Sequence, residues 1–202
     1  MAPVRAGLSR RPPIAGAVLA GGSSSRFGTD KSLASTPEGP LGGIAVQALR
    51  QAGVDPVVLI GASPDVSAHL GVPAVPDLMP GEGPLAALWT ALRWASGVSR
   101  VVVIPCDMPH VDGSVVRAIV AAGDNSSASV ASLGERPHPI VGCWPVAWAS
   151  SVHGLLRAGE RRMSAVLDLG PFHTVEIEQE RLADADDPDE LERAFQTERR
   201  LQ

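Results

Sequence analysis

Three short segments set the frame for this chain: residues 14–20 (Ile-Ala-Gly-Ala-Val-Leu-Ala), 56–60 (Pro-Val-Val-Leu-Ile) and 100–105 (Arg-Val-Val-Val-Ile-Pro) are almost unbroken apolar runs. A strand with one solvated face alternates apolar and polar residues, so a run without alternation needs cover on both faces. Between these runs, residues 41–52 and 84–96 repeat their apolar positions with the period of a helix. Strands interleaved with helices imply a parallel sheet with helices on both sides. Weaker strands are expected at 72–75, 128–133, 140–144 and 174–177, with helices near 114–122, 145–158 and 164–169. The acidic, proline-punctuated residues 183–190 lead into a last amphipathic helix. No internal repeat or break in composition divides the 202 residues, 45% of them hydrophobic and 19% charged, which suffice for one sizeable core. The expected fold class is therefore α/β: a single three-layer α/β/α, Rossmann-like domain with a mostly parallel sheet over residues 14–202, preceded by a flexible arm at 1–13.

The net charge of −5 argues against a general nucleic-acid or membrane-surface binder. Any polyanionic ligand must then be small and met by local cations and backbone N–H groups. Residues 1–13 hold basic side chains and prolines but no apolar stretch of the signal-peptide kind, and no run approaches bilayer length, so a cytoplasmic protein is expected. Cys106 and Cys143 have no metal-ligand or redox spacing and end apolar runs, as buried thiols do. His69, His110, His153 and His173 show no ligand spacing either.

Of the seventeen basic side chains, Lys31 is the single lysine. It closes the run Leu19-Ala20-Gly21-Gly22-Ser23-Ser24-Ser25-Arg26-Phe27-Gly28-Thr29-Asp30-Lys31, a glycine- and serine-rich turn after the first strand. An ammonium is a compact point charge, whereas guanidinium is a planar fork, so the two are not interchangeable at the end of a tight loop. The turn can wrap oxyanions with its N–H groups, and Arg26 and Lys31 add positive charge at fixed offsets. It is neither a Walker A loop, which needs glycine where Asp30 stands, nor a Gly-x-Gly-x-x-Gly dinucleotide loop. In open parallel sheets ligands bind beyond the carboxyl ends of the strands. Asp77 and Asp107 follow the third and fourth strands and so fall on the same rim as the glycine loop. Asp107, flanked by Pro105 and Pro109, reads as a cap or as a ligand for a hard cation such as Mg2+. Asp77 reads as a turn former or as a residue facing the site.

At this point the residues resemble a known family. Leu19–Lys31 is similar to the Leu-Ala-Gly-Gly-x-Ser-x-Arg-Met-Gly-x-Asp-Lys stretch of the molybdenum cofactor guanylyltransferases (MobA), within the larger group of nucleotide-sugar-pyrophosphorylase-like nucleotidyltransferases. Asp77 with Gly83-Pro84-Leu85 resembles the family's Asp…Gly-Pro-Leu segment, and Pro105-Cys106-Asp107-Met108-Pro109 its Pro-Cys-Asp-x-Pro. Arg136-Pro137-His138-Pro139 resembles its His-Pro or Gln-Pro strand entry, Gly159-Glu160-Arg161-Arg162 its Gly-Glu-Arg-Arg element, and residues 184–191 its Asn-x-Asn-Thr-Pro-Glu-Glu-Leu.

The resemblance implies transfer of GMP from GTP to the terminal phosphate of molybdopterin, with release of pyrophosphate and formation of a molybdopterin guanine dinucleotide. It implies nucleotide binding by Leu19, Ala20, Gly21, Gly22, Lys31, Asp77 and Asp107, charge neutralisation by Arg26 and Lys31, and Mg2+ on Asp107. On the acceptor side it implies His138, Arg161, Arg162, Asp184 and Asp186, with molybdoenzymes or cofactor-insertion proteins as recipients. Asp30-Lys31 favours the guanine branch, since cytidylyl relatives carry Pro-Lys there. The departures are Phe27 for methionine, Ile60-Gly61-Ala62 without the usual asparagine, Ala87 for glycine, and Asp184 and Asp186 for asparagines. A relative using CTP or another phosphorylated acceptor, or a non-catalytic nucleotide-binding adaptor, are the alternatives.

Overall fold

The computed structural model describes residues 14–21 and 30–198. The proposed arm at 1–13, together with Gly22 and Arg26, lies outside the described residues. The strands are β1 (Ile14–Leu19), β2 (Ser35–Thr36), β3 (Gly39–Pro40), β4 (Val57–Ile60), β5 (Ala74–Val75), β6 (Arg100–Pro105), β7 (Ala128–Leu133), β8 (Arg136–Pro145) and β9 (Phe172–Glu176). The helices are α1 (Leu41–Gln51), α2 (Pro64–Leu70), α3 (Pro84–Trp94), α4 (Gly113–Ala122), α5 (Ala149–Arg157) and α6 (Pro188–Glu198). β2 and β3 form a small hairpin, and the other strands make a seven-stranded sheet in the order β5-β4-β1-β6-β8-β7-β9.

The apolar runs are explained by what lies on each side. Ala15, Ala17 and Leu19 of β1, Val58 and Ile60 of β4 and Val101 and Val103 of β6 join a core with Leu85, Leu88 and Leu92 of α3 and Val152 and Leu156 of α5. The intervening Val18, Leu59, Val102 and Ile104 face the opposite way, onto Val46 and Leu49 of α1 and Val116 and Ile119 of α4. With period two and a helix layer on either side, every position in these strands except the half-buried Ile14 is buried, which removes the alternation.

β5, β4, β1 and β6 are parallel, as expected. β8 runs antiparallel to both β6 and β7. It begins at Arg136, four residues before the sequence pattern places it, because Pro137 and Pro139 disguise its start. Prolines are tolerated where pairing is interrupted, and the register of β7 with β8 shifts between Val130 and Ala131, where Val130 faces Gly142 but Ala131 faces His138. The stretch 164–169 is part of a 3-10 segment, Met163–Leu169, rather than an α-helix.

A third cluster, Leu41 and Ile44 of α1 with Ala185, Leu191 and Phe195, seats α6 against the start of α1. This brings residues 184–187 to the sheet rim, at the point where the order turns from β1 toward β4 on one side and β6 on the other.

Candidate active site

Lys31 opens a 3-10 turn, Lys31–Leu33, whose cap is Asp30: its Oδ1 accepts from the Ser32 N–H at 3.0 Å. Asp30 has φ −64°, a value a proline would also adopt. From this turn the Lys31 ammonium donates to Asp107 Oδ2 and to Asp186 Oδ1, each at 3.0 Å. Its side chain is only 13% exposed. Burial works against the charge, but the hydrogen bonds to Asp186 and Asp107 outweigh it and lift the pKa above the usual lysine range. Lys31 is therefore cationic throughout the neutral range.

Asp107 sits two residues beyond β6, and its loop is stitched on both sides. Cys106 N–H donates to Leu19 C=O at 3.1 Å, and Ala185 N–H donates to Asp107 C=O at 2.9 Å. The following helix has its own cap, Asp112, whose Oδ1 accepts from Ser114 and Val115 N–H. Among the described residues the Asp107 carboxylate is therefore not the cap of this helix; it accepts from the Lys31 ammonium. The two cysteines are not nucleophiles: burial, followed for Cys106 by the charge of Asp107, pushes each thiol up to about 11.

On the other side of β1 the rim narrows. Of the residues expected to meet the nucleotide, Leu19 accepts through its C=O from Cys106 N–H at 3.1 Å and Ala20 donates through its N–H to Ile60 C=O at 2.9 Å. The first exposed backbone at the end of β1 is Gly21. Gly61, at the end of β4, has φ +77°, and a Cβ there would stand 2.9 Å from Gly21 Cα and 3.8 Å from Asp77 Cβ. Only glycine permits this approach, so the missing asparagine is replaced by a close backbone contact. Asp77 is anchored: its Oδ1 accepts from Thr90 Oγ1 at 2.9 Å and from Met79 N–H at 3.1 Å. The Thr90 hydroxyl also accepts from Leu78 N–H at 3.1 Å. Asp77 is thus both the turn former and a member of the rim. Thr90 is not singled out by sequence, and Gly61 enters there only within the departure at Ile60-Gly61-Ala62; a polar residue inside an otherwise apolar helix face is the available signal for Thr90.

The residues expected on the acceptor side divide. Asp186 reaches Lys31, whereas Asp184 lies near His138 and lines a cleft of about 750 Å³ between α1, α6 and residues 180–184. Lys31, Asp77 and Asp107 are not among the walls of that cleft. His138, half-buried before the β8 irregularity, has no hydrogen-bond partner at Nδ1 among the described residues. Burial lowers its pKa from 6.5 against the opposing pull of Asp184, so it is neutral at pH 7. Arg161 and Arg162, expected at an acceptor phosphate, each pair with a carboxylate among the described residues. The Arg161 Nε donates to Glu82, and Arg162 binds Glu160 through Nε at 3.1 Å and Nη2 at 2.7 Å.

The neutral His138 gives a pH test. The unfolded chain takes up a proton near pH 6.5 that the folded chain takes up only at lower pH, so stability is full above that value and falls as pH drops from it toward the folded pKa. The expected result is that His138→Gln flattens the fall of Tm between pH 6.5 and 5; an unchanged slope would remove His138 as its source.

Residues 16–176 match the family model described as MobA-like NTP transferase domain. The chain belongs to the MobA-like NTP transferase family. It is 36% identical over 151 residues to the molybdenum cofactor guanylyltransferase of Cereibacter sphaeroides, covering 73% of this chain and 77% of that one. It is 36% identical over 158 residues to the enzyme of the same name from Rhizobium rhizogenes, covering 75% and 71%. The fold matches molybdopterin-guanine dinucleotide biosynthesis protein A from Archaeoglobus fulgidus with a TM-score of 0.69 at 21% identity, over 92% of this chain and 98% of that one. It also matches Rv0371c of Mycobacterium tuberculosis in complex with manganese, with a TM-score of 0.67 at 21% identity, over 92% and 99%. As a MobA-like transferase the chain is a nucleotidyltransferase, and its Lys31, Asp107 and Asp77 occupy the rim around the switch between β1 and β6. No helix among the described residues is long and apolar enough to cross a membrane.

Proposed function

We infer that this protein transfers GMP from GTP to the terminal phosphate of molybdopterin, releasing pyrophosphate and forming a molybdopterin guanine dinucleotide. One observation carries the reading: Lys31, the single lysine, is held between two carboxylates at the rim where a nucleotide of this fold lies. A phosphate oxygen of the acceptor attacks the α-phosphorus of GTP, the bond from that phosphorus to the bridging oxygen breaks, and the electron pair leaves with pyrophosphate. The acceptor is already anionic, so no side chain has to remove a proton. What the site must do is align the reactants and offset charge.

Asp107 and Asp186 place hard oxygen donors around one cationic position, now filled by the Lys31 ammonium, and this donor set suits a divalent cation of the magnesium type. Asp107 would hold it, with Asp186 as the second carboxylate at the same place. Bound there, the cation would neutralise phosphate charge. Lys31 then meets the triphosphate and the departing pyrophosphate, while Gly21, Gly61 and Asp77 receive the nucleoside. Arg26 adds to the triphosphate side, His138 and Asp184 to the pterin side. The use of a nucleoside triphosphate goes with a cytoplasmic site of action, and the product is handed to molybdoenzymes.

The test is magnesium-dependent pyrophosphate release with GTP, CTP and ATP, each with and without molybdopterin. Release with GTP that requires molybdopterin is expected. A preference for CTP would move the chain to the cytidylyl branch, and no release with any pair would leave a binding module.

A further inference from the structure

We propose that Glu82 and Arg161 form a clamp that positions the loop between β5 and α3 for the nucleotide, which makes Arg161 a positioning residue on the donor side rather than a ligand of the acceptor phosphate. The proposal rests on the nucleotidyl-transfer reading above and adds to it a residue pair with a defined task.

The loop is held firmly at its start, through Asp77 and Thr90, and runs into α3 at Pro84. In between, Gly81 and Gly83 have φ +82° and +86° and flank Glu82, so the backbone there is of the most freely rotating kind. Leu78 is 53% exposed and packs little. Glu82 N–H gives one turn bond, to Met79 C=O at 3.2 Å. Beyond that bond, the side chain of Glu82 ties the loop to the rest of the molecule, through Arg161.

Arg161 is built to receive it. Its Nη1 donates to Leu156 C=O at 2.9 Å and to Glu160 C=O at 2.8 Å, which anchors the guanidinium at the carboxyl end of α5, where a cation is favoured. Nε is then aimed at Glu82, and the Arg161 carbonyl comes within 4.0 Å of where a Gly83 Cβ would stand. The backbone of the loop after α5 therefore lies beside the glycine that starts α3. A carboxylate at this guanidinium also opposes a second anion there. The neighbouring Arg162, with a side chain 79% exposed, shares none of these contacts.

Glu82 carries no positive charge and cannot itself bind a phosphate, so the two partners distinguish positioning from phosphate contact. Steady-state kinetics on Glu82→Gln, Arg161→Gln and the double variant read KM for each substrate and kcat. A clamp predicts that each single change raises the KM for GTP about threefold to fivefold, as for an exposed ion pair, with the KM for molybdopterin and kcat unchanged. The double variant is expected to be no worse than either single one. Arg161→Gln raising the KM for molybdopterin, or Glu82→Gln leaving the KM for GTP at the parent value, would overturn the clamp. Calorimetric titration with a non-hydrolysable GTP analogue separates this from the proposed reaction. A parent chain that binds the analogue, binds it more weakly as Glu82→Gln and transfers nothing to molybdopterin would support the clamp and refute the reaction. A parent chain that binds no nucleotide overturns both.

Discussion

Replacing Asp107 by alanine is expected to lower kcat/KM for pyrophosphate release by about a thousandfold or more, the scale of losing the anchor for a cation that neutralises phosphate charge. The side chain makes no cap and no backbone bond among the described residues, so the substitution removes charge from the rim without loosening a helix. The loop itself is held by main-chain bonds to Leu19 and Ala185, which any residue at this position retains. The far-ultraviolet circular dichroism should therefore be that of the parent, and chelation of the parent by EDTA should reproduce the loss until magnesium is restored. A variant that keeps more than a tenth of the parent rate would show that Asp107 does not hold the cation.

Replacing Lys31 should cost about a hundredfold in kcat, in the range found when one preorganised donor to developing charge is removed. The expected feature is that arginine does not rescue. The ammonium sits 3.0 Å from one oxygen of each of two carboxylates in a slot that leaves 13% of the lysine side chain exposed. A planar guanidinium must reach further and divide its donors differently. Lys31→Met has a second consequence, because Asp107 and Asp186 are then left facing each other without the intervening cation. Repulsion between them should lower Tm, and adding divalent cation should restore part of it. Equal activity of Lys31→Arg and the parent, measured as kcat at saturating GTP, would show that charge alone is required.

Parts of this arrangement are written in local sequence and parts are not. β1, β4 and β6 are legible because both of their faces are buried and their composition says so. Lys31 and Asp107 are legible because each follows such a strand within a loop whose length and glycine or proline content is unusual. α2 is a short helix with Ser63 as cap, Pro64 in its first turn and Gly71 at φ +61° as its stop; the signals were present, but seven residues give too little apolar periodicity to register. The hairpin of β2 and β3 consists of two-residue strands, below the reach of any alternation. β8 was shortened by Pro137 and Pro139, whose disfavoured place in a sheet is offset by a pairing irregularity that only the three-dimensional register reveals.

The contacts that make the site are of the same non-local kind. Lys31 and Asp186 are 155 positions apart, and they meet because α6 packs on the start of α1. Glu82 and Arg161 are 79 apart. The family resemblance places Asp186 and Arg161 among the candidates, but which group each meets depends on how the last helix and the loop after α5 pack. The resemblance implies an acceptor role for both; in the folded chain Asp186 meets Lys31 and Arg161 meets Glu82.

The most direct measurement of the central claim follows the atoms. GTP labelled with 32P at the α-phosphate is incubated with the protein, magnesium and molybdopterin, and the labelled species are separated and identified by mass. The account predicts that the label moves into a species containing both guanosine and pterin, in equal amount to the unlabelled pyrophosphate released, and that none forms without molybdopterin. Label recovered only as GTP, or as GMP with no pterin attached, would contradict it.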